Sequence, residues 1–284
     1  MDYRRRKQII IALLLALVLI LLLAGAYYKW FYNVPTCFDN KQNQKEEGVD
    51  CGGPCAISCE RLTIKDLQIE WVKFLPLKDN HYDLAAKITN PNPNFGLGEL
   101  AYIFRLYDAS GAKIKEQTGS SFIAPGQKKY LVEGNVTTDK PIDKVELAIT
   151  KSEPVDWQRL KEGFQMPNIY VHDKQFKFLE KSAATAQASG IIKNDSLFDF
   201  DTISVAIVLF DENKEVVGVN KTEARTVPAG EERYFAALWF NQLAPAVTNV
   251  DMQAETNLFL DENFMRRFGV LGEKFQEYGP TTSQ

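Results

Sequence analysis

The chain has 284 residues, 45% of them hydrophobic and 25% charged, with a formal net charge of -4 and a pI near 5.4. This mildly acidic balance offers no basic field to collect phosphates, so nucleic acid is not an expected partner. The only two histidines are His81 and His172, which rules out a His-rich metal centre.

Arg4, Arg5, Arg6 and Lys7 stand directly before a run from Ile9 to Ala26 with no charged or strongly polar residue. As a helix the run would be about 27 Å long, close to the roughly 30 Å hydrocarbon core of a bilayer. Tyr27, Tyr28, Trp30, Phe31 and Tyr32 follow where an aromatic belt would sit, and the basic cluster marks the near side as cytoplasmic. Residues 1–8 are therefore expected to be a cytoplasmic tail, residues 9–28 a transmembrane signal anchor, and everything beyond extracytoplasmic. A cleaved signal peptide is the rival, because Ala24-Gly25-Ala26 is an A-x-A site, but the apolar run is longer than a usual signal core. No polar face interrupts the run, which argues against a helix of a globular core.

The four cysteines, Cys37, Cys51, Cys55 and Cys59, lie in the segment 29–60 just beyond the anchor. An even cluster in an exported segment points to two disulfides, with three connectivities open. Zinc held by four thiolates competes, but the spacing lacks the paired C-x2-C of strong zinc sites. A redox-active pair is the remaining alternative. Residues 35–59 read PTCFDNKQNQKEEGVDCGGPCAISC and resemble a Cys-rich segment of exported microbial surface proteins, C-x-D-G-x-x-N-G-x-E-x-x-V-D-C-G-G-x-C-x-x-C. They match at Cys37, Asp39, Asn43, Glu46, Val49, Asp50, Cys51, Gly52, Gly53 and Cys55, and depart at Asn40 and Gln44, where the pattern has Gly, and in the spacing to Cys59. Asp39, Asn43, Glu46 and Asp50 carry the hard oxygen ligands calcium prefers. The competing account is a solvated acidic loop held by the disulfides, with Gly52 and Gly53 supplying turns.

After Cys59 the periodicity changes to that of strands. Leu62 to Lys73, Tyr82 to Ile88, Leu100 to Tyr107 and Lys129 to Val136 alternate or run apolar between turn signals. The same order of signals then returns: Ile88-Thr89-Asn90 corresponds to Ile192-Lys193-Asn194, Phe104 to Asp108 corresponds to Ile207 to Asp211, and Gly126 corresponds to Gly230. So long a period suits two whole domains of about seven strands each, over 61–151 and 168–262. Each copy resembles the FxLYD-type β-sandwich, which is similar to immunoglobulin-like and late-embryogenesis-abundant sandwiches. The first copy carries Asn90, Phe104, Leu106, Tyr107, Asp108, Gly111 and Gly126. The second carries Asn194, Leu209, Phe210, Asp211 and Gly230, with Ile207 in place of the leading Phe. The resemblance implies a fold signature rather than a ligand site, with the aspartates accepting backbone N–H groups of the following turns.

Between the copies, residues 152–167 are expected to form a linker that sets an interdomain angle, with Trp157 covering the seam. In residues 263–284, Phe264, Phe268, Leu271 and Phe275 recur at helical spacing, predicting a short amphipathic helix from Asp261 to Tyr278 packed on the second sandwich. No G-x-S-x-G, phosphate-cradling glycine loop or H-E-x-x-H is present, so no enzyme is expected. The fold class is mainly β: a transmembrane helix, a small disulfide-stapled segment, two tandem Ig-like antiparallel sandwiches and a short terminal helix. The expected role is non-enzymatic binding or scaffolding at the cell envelope, with the membrane engaged through residues 9–28 and envelope or surface proteins as partners. The alternative is an accessory subunit of a membrane secretion, transport or envelope-synthesis complex.

Overall fold

A computed structural model describes residues 3–31, 36–55, 57–153, 156–243 and 247–270. The chain forms two compact units, 1–62 and 63–284.

In the first unit, helix α1 spans Tyr3–Phe31. Its Leu, Ile and Ala run has good helix formers and no proline, so the helix continues through Gly25 to the aromatic residues. Over Arg4–Lys29 the mean hydropathy reaches 3.3 and none of the helix is buried in the protein. A helix that is apolar on every side finds its complement in lipid or in other apolar helices. The side chains of Trp30 and Phe31, and all of Tyr32, lie outside the described residues, as does that part of the expected aromatic belt. The cysteine segment closes with the bridges Cys37–Cys55 and Cys51–Cys59. A short 3-10 helix, Cys59–Thr63, comes next.

The second unit begins with seven strands: β1 (Gln68–Pro76), β2 (His81–Thr89), β3 (Phe95–Tyr107), β4 (Lys113–Ile123), β5 (Lys128–Thr137), β6 (Lys144–Ile149) and β7 (Trp157–Arg159). Six more complete it: β8 (Ile169–Phe178), β9 (Ala186–Asn194), β10 (Phe200–Phe210), β11 (Val216–Val227), β12 (Glu232–Trp239) and β13 (Asn249–Glu255). The first strand starts at Gln68, not Leu62, and the second group has six strands where about seven were expected.

The first sandwich pairs sheet β1-β2-β5 with sheet β4-β3-β6, and the second pairs β8-β9-β12 with β11-β10-β13. The two strand orders are the same, and all pairings are antiparallel. Joining the second strand to the fifth in one sheet and the third to the sixth in the other is the crossover pattern of immunoglobulin-like sandwiches. Alternation fills each core. Phe104 and Leu106 are fully buried with Leu84, Ile88 and Leu131 opposite, whereas Arg105 and Tyr107 point outward.

The sandwiches share a third core. Ala85, Tyr130 and Val132, on the outer face of β1-β2-β5, pack against Ala206, Val208 and Val219 of β10 and β11. Four sheets are thus stacked, and the two inner ones are covered on both faces. That explains the unbroken buried run Val205 to Leu209 in β10, where one-sided burial would give alternation.

The expected linker is more ordered than its composition suggested. β7 adds to the amino-terminal half of β3, with Leu97 opposite Trp157, and Trp157 is buried in the first sandwich's own core. The reason lies in β3, whose carboxy-terminal half pairs with β6 and leaves Phe95 to Leu97 open to β7. Leu160 then turns into the second core and bridges Gly269. Helix α2 spans Glu262–Phe268, capped by Asp261, whose Oδ1 accepts from the Phe264 N–H at 2.6 Å. Phe264 is fully buried in the second core, as the helical stripe predicted, while Leu271 and Phe275 lie outside the described residues.

Candidate functional site

The cysteine segment holds a polar cluster, and its geometry starts from backbone conformation. Asn40 and Gln44, which stand where the resembled pattern has Gly, both adopt left-handed φ angles, 57° and 50°. Glycine enters that region freely and Asn tolerates it, so the pattern's glycines have a local cause. These turns fold the loop back so that Asp39, Asn43, Glu46 and Asp50 meet.

Asp50 accepts from the N–H groups of Asp39 at 3.0 Å and Asn40 at 2.9 Å. Asp39 accepts from Lys41 N–H at 3.0 Å and from the Asn43 amide at 2.8 Å. The Asn43 amide, ahead of the backbone donors, holds the Asp39 carboxyl below the usual carboxylate range. Glu46 is only 6% exposed, and its Oε2 accepts from the N–H groups of Asn43 at 3.1 Å and Asp50 at 3.3 Å. The four residues matched to the pattern therefore do converge. Five of their carboxylate oxygens take N–H donors, which is what a loop needs to hold its shape.

Glu46 Oε1 faces the Cys55 Sγ at 3.2 Å. This oxygen and the sulfurs of Cys37 and Cys55 lie within 4.8 Å of one another. With the two sulfurs bonded together, neither is a thiolate available to a metal. Behind them Gly48 leaves room for the second bridge: a Cβ there would lie 2.8 Å from Cys51 Sγ.

In the two sandwiches Asn90 and Asn194, and Asp108 and Asp211, make corresponding hydrogen bonds. Asn90 is 1% exposed and its Nδ2 donates to the carbonyls of Phe95 and Ala124. Asn194 is 0% exposed and donates to the carbonyls of Phe198, Val227 and Pro228. Asp108 Oδ1 accepts from Ser110 and Ala112 N–H, and Asp211 Oδ1 from Asn213 and Glu215 N–H. The Ser110 hydroxyl, foremost among these donors, keeps the Asp108 carboxyl low. Gly126 and Gly230 take φ of 65° and 77°, and their N–H groups donate to Asn92 O and Asn194 O. Leu209 is fully buried, and Phe210 is half-buried against the shared seam.

The seam contains groups that no motif or periodicity announces. Lys129, 2% exposed, forms an ion pair with Glu255, 8% exposed, and lies 3.8 Å from the centre of the Phe122 ring. Burial pushes the lysine down and the glutamate up, each opposed by the charge of the other. Gln127 donates to Glu255 at 2.9 Å, and the Tyr130 hydroxyl donates to Asp251 at 2.8 Å. A cavity of about 230 Å³ adjoins the pair, lined by Tyr102, Ser120, Ser204 and Lys221 among others. Tyr102 donates to Glu133 at 2.7 Å, and burial raises its phenol well above the ordinary value.

No family model matches the chain, and no curated protein matches it in sequence. Among solved structures it is similar to red sea bream transglutaminase, at 9% identity and a TM-score of 0.19, over 68% of this chain and 29% of that one. The chain thus spans under a third of that protein's length, and a likeness this distant carries no argument about fold or activity.

Proposed function

We propose that the chain is a single-pass, non-enzymatic envelope protein that presents two FxLYD-type sandwiches outside the membrane for binding or scaffolding. The observation that carries this is the helix Arg4–Lys29, whose apolar surface is nowhere buried by the rest of the protein. Its basic flank, Arg4 to Lys7, supports an inside amino terminus, and the two disulfides support an oxidising compartment for the residues beyond the helix. The shared strand order and the matching bonds of Asn90 and Asn194 support two copies of one domain. The sandwiches and their stacked seam supply a rigid body, and their end loops and outer faces supply recognition.

Protease added outside intact spheroplasts tests this reading. It should remove the sandwiches and leave a carbonate-resistant membrane fragment that retains an amino-terminal tag. Full protection from outside would overturn the orientation, and release of the intact sandwiches by carbonate would overturn the anchor.

A further inference from the structure

The seam joins two kinds of sheet face, and one face of each kind is left over at the ends of the stack. Strand order makes β12 the counterpart of β5 and β9 the counterpart of β2. With Asn194 set on Asn90, the register puts Tyr234 and Ala236 where the first sandwich has Tyr130 and Val132. Tyr130, covered by the seam, is 7% exposed. Tyr234 is 67% exposed, with Leu238 beside it on the same face at 42%.

At the other end, β3 and β6 are the counterparts of β10 and β13. With Leu106 set on Leu209, Ile103 and Arg105 take the positions of Ala206 and Val208. Glu146, opposite Arg105, then takes the position of Asp251, opposite Val208. Asp251 is the acid that accepts the Tyr130 hydroxyl across the seam, at 2.8 Å. One free face therefore carries a tyrosine where the seam has one, and the other carries an acid where the seam has one.

We propose that these end faces bind a second copy of the chain, β8-β9-β12 of one copy docking on β4-β3-β6 of the next as the seam faces dock on each other. Tyr234 donates its hydroxyl to Glu146 of the next copy, as Tyr130 donates to Asp251. Its ring lies over Arg105, whose guanidinium suits a tyrosine face as Val208 suits Tyr130. Two features make this contact weaker than the seam. The Lys129–Glu255 pair has no counterpart, because Arg233 and Thr150 stand at those places. The Arg105–Glu116 pair also loses water on docking. Association between copies is therefore reversible, whereas the seam is permanent. This inference deepens the recognition by outer faces proposed above, and its test reads neither the anchor nor the orientation.

Sedimentation velocity of the full chain in detergent, over a range of concentrations, tests the contact. Wild type should grow past the dimer as concentration rises, because a head-to-tail contact leaves one face of each kind free. Tyr234→Lys and Ile103→Lys each put a lysine on one end face and leave the other intact, so each variant alone should be monomeric. Mixed in equal amounts they should form a dimer and nothing larger. Tyr234→Phe, which removes only the hydroxyl, should weaken association at least about fivefold. A wild type that stays monomeric throughout overturns the proposal. So does a dimer that stops at two and is lost in Tyr234→Lys alone, which would mean a two-fold contact. Assembly that survives both lysine variants would assign the contact to the apolar helix, and an unchanged Tyr234→Phe would deny the bond to Glu146.

Discussion

At the scale of single residues, the strongest determinants are side chains that satisfy buried backbone. Asn194 Nδ2 serves three carbonyls from a fully buried position, and Asn90 serves two. Each carbonyl left bare costs about 1–3 kcal/mol, so Asn194→Ala should destabilise by at least about 3 kcal/mol and Asn90→Ala by somewhat less. Urea unfolding measures both, and a loss below about 1 kcal/mol for Asn194→Ala would deny the role. Asp83 works in the opposite sense. Burial raises its carboxyl pKa, against one hydrogen bond from the Asn135 N–H. An acid with a raised folded pKa loses stability as pH climbs from the unfolded value through the folded one. Asp83→Asn keeps the acceptor and removes the charge, so the thermal midpoint should rise at pH 7 and stay unchanged at pH 3. A variant equally shifted at both values would point to packing instead. Asn90 and Asn194 were legible because the same residue recurs at the same place in two matching patterns. The Lys129–Glu255 pair was not, because its partners are 126 positions apart and Lys128-Lys129 reads as a solvated couple.

Among the elements, the first helix and the four strands delimited from periodicity are present, two of them with shifted ends, and the departures have physical causes. β2 and β5 lie within a residue of their expected ends because turn residues bound them. β7 escaped because three residues are too few to show alternation, and its pairing depends on which half of β3 is left open. That makes Trp157 a core residue of the first sandwich, not a cover on a seam. Trp157→Ala should therefore cost about 3–5 kcal/mol, visible as a lower urea midpoint and as faster amide exchange in β3. If exchange in the second sandwich's β9 and β12 alone responded, the assignment of Trp157 would be wrong. The segment after β13 shows a close approach that sequence could not announce: a Cβ on Gly96 would fall 2.5 Å from the Phe259 ring. The glycine at the start of β3 is what lets the second sandwich's tail lie flat on the first.

For the whole molecule, the shared core of Ala85, Tyr130, Val132, Ala206, Val208 and Val219 makes the sandwiches one folding unit. Calorimetry of residues 63–284 should give a single transition. Lys129→Met should lower that peak by about 3–5 kcal/mol without splitting it, since Glu255 is then left charged and buried. Pairing it with Glu255→Leu should recover most of the loss, and two resolved peaks would show that the sandwiches unfold independently. The same strand order occurs twice, but the stacking was not legible in the sequence, because apolar residues on both faces of β10 look the same whether a helix, a lipid or another sheet covers them. The contact also joins unlike faces, β1-β2-β5 of one sandwich to β11-β10-β13 of the other, although the two share one topology. Such a head-to-tail contact has no two-fold axis, so each end of the stack presents the counterpart of a face already used at the seam. Arg105–Glu116 and Lys144–Glu146 stud one terminal face, and the other carries Lys193–Glu232 together with exposed Tyr234 and Leu238. A further copy added at the second end would have to cover Tyr234 and Leu238 and desolvate the Lys193–Glu232 pair.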